Sequence, residues 1–324
     1  MADPFGESSK ETEISNSEVN DLFSLYVINV VFNSFLSYSA IMLNITTIYV
    51  LRKSSSLSNP LTILLLSLAV SDLGVGSLVQ PLYIALLVNR MQDHDRNGYL
   101  YYAFTTFVIL FSFASFFGVM ALSVDRFLAI HLHLRYQELV TPKRVVTVVI
   151  SIWVLSAFFA FIALCIPTIV SFMIFSVIDF ACLLTTTWLN FKIFVAVRRL
   201  TNQIQVLQVQ EPHDTCGING AMANAASLRK TAVGTFYVYF VFLVCYLPQI
   251  CSYGALVFSI SRTVKQVLLL TTLTIVFLNS SLNPVIYCLK MRQFRRAVMA
   301  LLRNIAANIM GDKLLLNSGA KFQR

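Results

Sequence analysis

The chain has 324 residues, of which 57% are hydrophobic and only 12% are charged, and its mean hydropathy is +0.74. Soluble domains carry about 25% charged residues, so this composition indicates a membrane protein. The net charge of +9 does not indicate nucleic-acid binding, because the basic residues fall in short segments between apolar runs rather than on one soluble stripe.

Seven apolar runs, which we number as spans one to seven, are long enough to cross a bilayer. The fourth and fifth are separated only by Pro167 and Thr168. The runs are Leu22–Leu51, Leu61–Leu87, Tyr99–Ile130, Val145–Ile166, Ile169–Val197, Thr231–Ser259 and Val267–Leu289. The sequence therefore predicts an all-α membrane protein, a seven-transmembrane helix bundle.

Basic residues predict how the bundle is oriented. Of the 24 Lys and Arg residues, five lie in one set of alternating connecting segments, and the remaining 19 lie in the other set or, for Arg126 and Lys192, near the span ends that border it. Because cytoplasmic loops carry the excess of basic residues, we expect the N-terminus outside and the C-terminus inside. As a separate expectation, the location is the plasma membrane. The predicted division is an extracellular tail (1–21), the bundle (22–289) and a cytoplasmic amphipathic helix with a tail (290–324).

The segment Lys290–Arg303 alternates basic and apolar residues at helical spacing. This pattern is typical of a short helix that lies in the membrane interface. We therefore expect an amphipathic eighth helix, with membrane lipids as its partners.

Asp72 lies in the middle of span two, where a lone ionised carboxylate is unfavourable. Its candidate partners are polar residues of other spans: Asn44, Ser115, Asn279, Ser280 and Asn283. A ring of carboxylate, hydroxyl and amide oxygens suits Na⁺, whereas a protonated Asp72 bonded to neighbouring helices needs no ion. The residue types and spacing leave both interpretations open.

Spans three, six and seven also contain charged residues or prolines that are unusual in an apolar helix. Asp125 and Arg126 put two adjacent charges close to the end of span three. Pro248 and Pro284 each remove a helix hydrogen bond and predict a kink.

Taken together, six motifs in chain order resemble the class A (rhodopsin-like) G-protein-coupled receptors. They are Asn44, Leu68-Ala69-Val70-Ser71-Asp72, Asp125-Arg126-Phe127, Trp153, Cys245-Tyr246-Leu247-Pro248, and Asn283-Pro284-Val285-Ile286-Tyr287 followed by Phe294. The resemblance covers all seven spans.

The resemblance implies roles for these residues. Arg126 faces a heterotrimeric G protein once span six moves outward, and Asp125 holds it at rest. Asn283, Pro284 and Tyr287 complete this G-protein switch. Arrestin is a further implied partner. The family's allosteric Na⁺ site maps onto a set of five residues, namely Asp72, Ser115, Asn279, Ser280 and Asn283. Phe116 and Phe242 match the contacts that transmit the motion.

Several positions depart from the family pattern. Tyr101 replaces the disulfide cysteine of span three, Cys182 replaces the proline of span five, and Asn190 replaces the tyrosine that supports the active arginine. Span six has no acid near Leu228-Arg229-Lys230 to pair with Arg126. The short second outer loop, without the disulfide and the span-five proline, is similar to that of the melanocortin receptors. Leu134-Arg135-Tyr136 with Leu139-Val140-Thr141 resembles both the adenosine and the melanocortin receptors.

Residues that define known ligand classes in this family are missing. Val108 stands where amine receptors carry Asp, Phe277 where opsins carry the retinal lysine, and Tyr253 where adenosine receptors carry Asn. The acids of the melanocortin calcium site are missing too, with Leu82, Tyr101 and Thr105 in their places. No covalent cofactor is therefore expected, and the ligand is an unidentified small molecule, lipid or peptide.

The expected ligand pocket is an apolar, aromatic cavity that opens outward. Its predicted lining is Val108, Ile109, Ser112, Phe113, Tyr246, Gln249, Ile250, Tyr253, Leu273 and Phe277. Asp179 in span five either pairs with a cationic group of the ligand or caps a helix near the outer surface.

Two other classes of function are disfavoured. An enzyme needs a nucleophile–base set or metal ligands, but His94, His131, His133 and His213 lie in loops or at span edges without such partners. The alternative of a membrane transporter or channel with Asp72 as its ion site lacks an internal repeat and a charged pathway.

Overall fold

The computed structural model describes residues 4–53, 59–92, 98–132, 135–210, 216–255, 261–290, 294–301 and 303. The side chains of residues 4–21 and 203–231 are not among those described. Within the described ranges the chain is almost entirely helical and contains no strand.

The helices follow one another with short connections. They are α1 (Pro4–Lys53), α2 (Asn59–Gly74), a π-helical turn (Val75–Val79), α3 (Gln80–Met91), α4 (Gly98–Leu132), α5 (Tyr136–Leu139), α6 (Pro142–Cys165), α7 (Thr168–Gln210), α8 (Cys216–Ala255) and α9 (Arg262–Lys290). Residues 294–301 are again helical. Span one lies in α1, span two comprises α2, the π-helical turn and α3, and spans three to seven lie in α4, α6, α7, α8 and α9.

Seven of the described helical stretches are long and apolar enough to cross a membrane. They are Leu22–Lys53, Pro60–Met91, Gly98–Leu132, Pro142–Cys165, Met173–Arg199, Ala232–Gly254 and Thr263–Lys290. The prediction of an all-α, seven-helix membrane protein is confirmed. The predicted end of span six at Ser259 and the tail beyond Arg303 lie outside the described residues.

Helices α1 and α7 are longer than the apolar runs that predict them. α1 begins at Pro4, within the segment predicted as a tail, and α7 continues to Gln210, within the polar connection predicted between spans five and six. Residues 201–210 contain no proline or glycine, so their backbone can continue the helix after the apolar run has ended.

Span two contains a π-helical turn at its centre, where it passes close to span one. A Cβ atom added to Gly76 would lie 2.9 Å from the Cβ of Ala40, and the Ser37 hydroxyl donates to the Gly76 carbonyl at 2.7 Å. Pro81, in the first turn of α3, has no N–H to donate to the preceding turn. Gly76 has no side chain to clash with span one, and Pro81 has no N–H that requires an acceptor. Both features accommodate the wider π-helical turn, which lies between Asp72 and the end of span two.

Span three occupies the centre of the bundle and span four lies at its edge. α4 contacts α2, α6, α7 and α8, whereas α6 packs mainly on α4 and α2. In the most apolar window of each span, 61% of span three is buried but only 22% of span four. Span three is therefore placed to connect groups along the whole length of the bundle.

Candidate functional site: switch, polar cluster and cavity

The Asp125–Arg126 pair is buried near the end of span three. Arg126 Nε donates to Asp125 Oδ2 at 2.8 Å, and Arg126 Nη2 contacts the same oxygen. The hydroxyl of Tyr136, in α5, donates to Asp125 Oδ1 at 2.7 Å. Both carboxylate oxygens are therefore occupied, and Arg126 is held by its own neighbour.

Tyr136 is a part of this arrangement that the sequence interpretation missed. In the sequence, Tyr136 indicates only a similarity to the melanocortin and adenosine receptors, through Leu134-Arg135-Tyr136. Burial, followed by the negative charge of Asp125, raises the pKa of Tyr136 above its usual range. The hydroxyl therefore keeps its proton and remains a donor.

Span six contacts the end of span three through apolar side chains. Ile130, Ile193 and Ala232 form a small buried cluster that joins spans three, five and six. The side chains of Leu228, Arg229 and Lys230, where no acidic partner is expected, lie outside the description. Span six is also held by span seven, because Lys290 Nζ lies 3.8 Å from the centroid of the Tyr237 ring.

Asn190 does not contact Arg126 in this conformation. Its Nδ2 donates to Ser123 Oγ at 2.9 Å and to the Thr186 carbonyl at 2.9 Å. Ser123 lies about one helical turn before Arg126. Asn190 therefore joins span five to span three beside the switch without supporting the arginine.

Span seven connects the switch to the polar cluster around Asp72. Asn283 Nδ2 donates to Asp72 Oδ2 at 2.8 Å. One turn on from Asn283, Tyr287 is buried, and its ring meets the ring of Phe294 edge-on at 5.7 Å. Tyr287 thus packs against the short helix after span seven.

Several oxygen acceptors of the polar cluster lack a donor. Asp72 is fully buried, and its Oδ1 has no hydrogen-bond partner, nor do Oδ1 of Asn279 and Oδ1 of Asn283. Ser115 donates to Ser71 Oγ at 3.0 Å, and Asn44 Nδ2 donates to the Ser280 carbonyl at 2.9 Å. A cation or a proton would satisfy these acceptors, so the residues present fit Na⁺ chemically.

Three aromatic rings connect spans three and six at the centre of the bundle. Phe116 meets Phe242 edge-on at 4.6 Å and Tyr246 at 5.0 Å, while Phe242 stacks on Tyr246 at 4.1 Å. All three rings are buried. A displacement of Tyr246 must therefore repack Phe242 against span three.

At the opposite end of the bundle from the switch, a cavity of about 190 Å³ lies between spans two, three, six and seven. We call it the four-span cavity. Its lining is mostly apolar and aromatic: Tyr83, Leu86, Leu87, Arg90, Tyr101, Phe104, Val108, Gln249, Tyr253, Gln266, Leu269, Leu270 and Leu273. Four of the residues predicted for the ligand pocket line it, namely Val108, Gln249, Tyr253 and Leu273.

The other predicted pocket residues lie beside or below this cavity. Ile109 and Phe113 pack in a cluster that includes Phe175 of span five, and Ile250 packs against the core around Phe242. Phe277 stands behind the cavity wall, edge-on to Tyr83 at 5.3 Å.

Tyr246 belongs to the aromatic connection described above. Ser112, its neighbour, is half-buried. Asp179 is half-buried in span five and does not line the four-span cavity.

The lining that the sequence interpretation missed comes largely from span two. Tyr83, Leu86, Leu87 and Arg90 follow one another at spacings of three, one and three residues, which places them on one face of α3. This stripe is visible in the sequence. Its spacing alone does not show that this face turns into the cavity, and Leu82 is the only span-two position named among the family's ligand positions.

Comparison with known proteins agrees with this arrangement. The family described as 7 transmembrane receptor (rhodopsin family) matches residues 43–172. Adenosine receptor A2b of Gallus gallus is 34% identical over 113 residues, which cover 35% of this chain but only 32% of that protein. Adenosine receptor A3 of Ovis aries is 23% identical over 294 residues, covering 82% of this chain and 86% of that protein.

These matches support a class A (rhodopsin-like) G-protein-coupled receptor. The predicted resemblance is thereby confirmed, and the family that the chain resembles is one of receptors rather than enzymes. The chain is a multi-pass membrane protein. These similarities do not favour the transporter or channel alternative. The relatives named above are consistent with the adenosine side of the expected branch, and they assign no subtype.

Proposed function

We propose that this receptor binds an extracellular ligand in the four-span cavity and activates a heterotrimeric G protein through Asp125 and Arg126. The observation that carries the proposal is the buried arrangement in which Arg126 Nε and Tyr136 each donate to Asp125. An arginine held in this way at a span end is a group that can be released. The excess of basic residues in one set of loops supports a cytoplasmic position for this end, and we propose the plasma membrane as the location.

The proposed activation is a shift between two populations of conformers. A ligand that contacts Gln249 and Tyr253 acts on span six close to Tyr246. Movement of Tyr246 repacks Phe242 on span three and displaces the cytoplasmic end of span six. Arg126 then becomes accessible to the G protein, and arrestin binds the same face.

Na⁺ is the proposed allosteric ligand of the polar cluster. Asp72, Ser115, Asn279, Ser280 and Asn283 would hold it with carboxylate, hydroxyl and amide oxygens. The ion would supply the positive charge that a fully buried carboxylate requires. The unpartnered oxygens of Asp72, Asn279 and Asn283 support this assignment.

Adenosine is not the proposed ligand, although the relatives are named for it. The resemblance places Tyr253 where those receptors carry the asparagine that grips adenosine, and Tyr253 lines the four-span cavity. The apolar and aromatic lining suits an apolar small molecule, a lipid or the end of a peptide.

The test measures GTP exchange on a panel of purified heterotrimeric G proteins by the full-length receptor in lipid nanodiscs. Asp125→Asn weakens the hold on Arg126 and should raise basal exchange several-fold. Arg126→Ala should bring exchange to the level of the G protein alone. Arg52→Ala, at the exposed end of span one, is the matched control and should leave exchange unchanged. If neither switch variant changed exchange with any G protein, the proposal would be wrong.

A further inference from the structure

A second cavity lies on the side of the bundle, away from both the four-span cavity and the polar cluster. It is a groove of about 520 Å³ between spans three and four. Its walls are two helical stripes, with Met120, Val124 and Leu128 on span three and Val148, Ser151 and Leu155 on span four. We call it the span three–four groove.

The groove opens toward the membrane. Val124 is 38% exposed, Val148 is 46% exposed and Leu155 is 41% exposed, although all three lie in membrane-spanning helices. Span four is anchored by its other side, where Trp153 Nε1 donates to Ser67 Oγ of span two at 3.1 Å. The groove face is therefore turned toward lipid, and a hydrocarbon chain is the natural material to fill it.

One end of the groove is basic. Lys143 and Arg144 are exposed in the first turn of α6, and Arg144 is part of the groove wall. Arg144 Nη1 donates to the carbonyls of Leu139 and Glu138 at 2.8 Å and 3.4 Å. This fixes the guanidinium at the groove entrance while its other N–H groups remain able to bind an anion.

We propose that the span three–four groove binds an anionic phospholipid of the cytoplasmic leaflet, with one acyl chain between the two stripes and its phosphate on Lys143 and Arg144. Charge complementarity selects this occupant, since basic pockets between helices on the cytoplasmic side attract anionic head groups. The assignment to the cytoplasmic leaflet rests on the orientation given under the proposed function, whereas the existence of the groove does not depend on that orientation.

The occupant would contact the switch directly. Asp125 forms part of the groove wall while it accepts the hydrogen bonds of Arg126 and Tyr136. Leu139 and Val140, which close the groove, follow Tyr136 in the same short connection. A bound acyl chain therefore packs against the segment that positions Tyr136 on Asp125.

The test uses the full-length receptor in nanodiscs that contain the same lipids in both leaflets. A phosphatidylserine with a photoreactive group on one acyl chain is activated by light, and mass spectrometry locates its adducts. We expect adducts concentrated on 117–128 and 144–155, competed by unlabelled phosphatidylserine more strongly than by phosphatidylcholine. Lys143→Gln should weaken the competition about fivefold, the effect of one basic residue at a membrane surface.

A bulky side chain placed in the groove tests whether the acyl chain occupies it. Ser151→Trp should abolish most of the labelling, whereas Val154→Trp, on the same helix at a position that is 64% exposed and outside the groove, should not. Adducts spread evenly over lipid-facing helices, labelling unaffected by Ser151→Trp, or equal competition by the two lipids would overturn the proposal. Because labelling is read without a G protein, its outcome is separate from that of the exchange assay.

Discussion

At the switch end of the bundle, Asp125 accepts hydrogen bonds from Arg126 and Tyr136, and Tyr287 packs on Phe294. At the cavity end, the positions that define known ligand classes carry other residues, and the cavity wall includes a stripe of span two as well as Tyr253. Both ends share the same helices. Under the proposed function this difference is expected, because the switch end would serve a partner common to the family, whereas the cavity would differ with the ligand.

The largest expected effects come from two buried aromatic rings. Phe242 belongs to the aromatic connection between spans three and six, and Phe277 stands behind the wall of the four-span cavity. Phe242 and Phe277 are both almost fully buried, so Phe242→Ala and Phe277→Ala should each destabilise the receptor by about 3–5 kcal/mol. Thermal unfolding in detergent measures this loss.

Only Phe242 contacts Phe116 and Tyr246. At a temperature where both variants remain folded, Phe242→Ala should therefore alter basal GTP exchange and Phe277→Ala should not. Equal changes in exchange would contradict the division between the two ends.

The polar cluster lies between the two ends and should respond to sodium. If Na⁺ binds Asp72, raising its concentration to 100 times its dissociation constant stabilises the receptor by about 2.7 kcal/mol. K⁺ at the same ionic strength should give little effect. Asp72→Asn should abolish the sodium-dependent shift in unfolding temperature and the sodium effect on basal exchange.

A control for that variant retains the carboxylate. Ser77 is exposed on the same span, and its hydroxyl donates only to the Leu73 carbonyl of its own helix. Ser77→Ala should leave the sodium response intact. A sodium shift that persists in Asp72→Asn would assign the ion elsewhere and favour a protonated Asp72.

Tyr136→Phe tests whether the switch includes the connection after span three. The change removes one hydrogen bond to a charged group, with an expected cost of about 1.5 kcal/mol, and it leaves the Asp125–Arg126 pair in place. Basal exchange should rise less than in Asp125→Asn. Tyr99→Phe, at a position that is 89% exposed, is the control. Unchanged exchange in Tyr136→Phe would confine the switch to span three.

Much of the switch could be predicted because its parts are adjacent in sequence or belong to one recognisable motif. Asp125 and Arg126 are neighbours, and the motifs of spans two and seven indicate the pairing of Asp72 with Asn283, although 211 residues separate them. Spans that are apolar on every face are also easy to find, since their length and composition suffice.

The cavity lining and the Tyr136 hydrogen bond could not be predicted in the same way. In a helix that is apolar all round, the hydrophobic pattern does not show which face turns inward. Rotation of α3 after the π-helical turn puts Tyr83 and Arg90 into the cavity, and only packing sets that rotation. Likewise, the position of Tyr136 depends on how α5 folds back onto span three.

The smallest expected effect concerns a contact of this same kind, between side chains that the sequence does not bring together. Lys290 of span seven lies over the ring of Tyr237 of span six at 3.8 Å. Such a contact at an exposed site contributes about 0.5–1 kcal/mol. Because it ties span seven to span six, whose cytoplasmic end is displaced in the proposed activation, Lys290→Gln should raise basal exchange by about two- to fivefold.

Lys53 offers a matched control, since its Nζ lies 5.7 Å from the ring of Tyr49 within a single helix. Lys53→Gln removes a cation–π contact of the same type but crosses no helix boundary, so exchange should stay at the wild-type level. If both lysine variants raised exchange equally, loss of basic charge at the membrane surface would explain the change. If only Lys290→Gln did so, the contact between spans six and seven contributes to holding the receptor at rest.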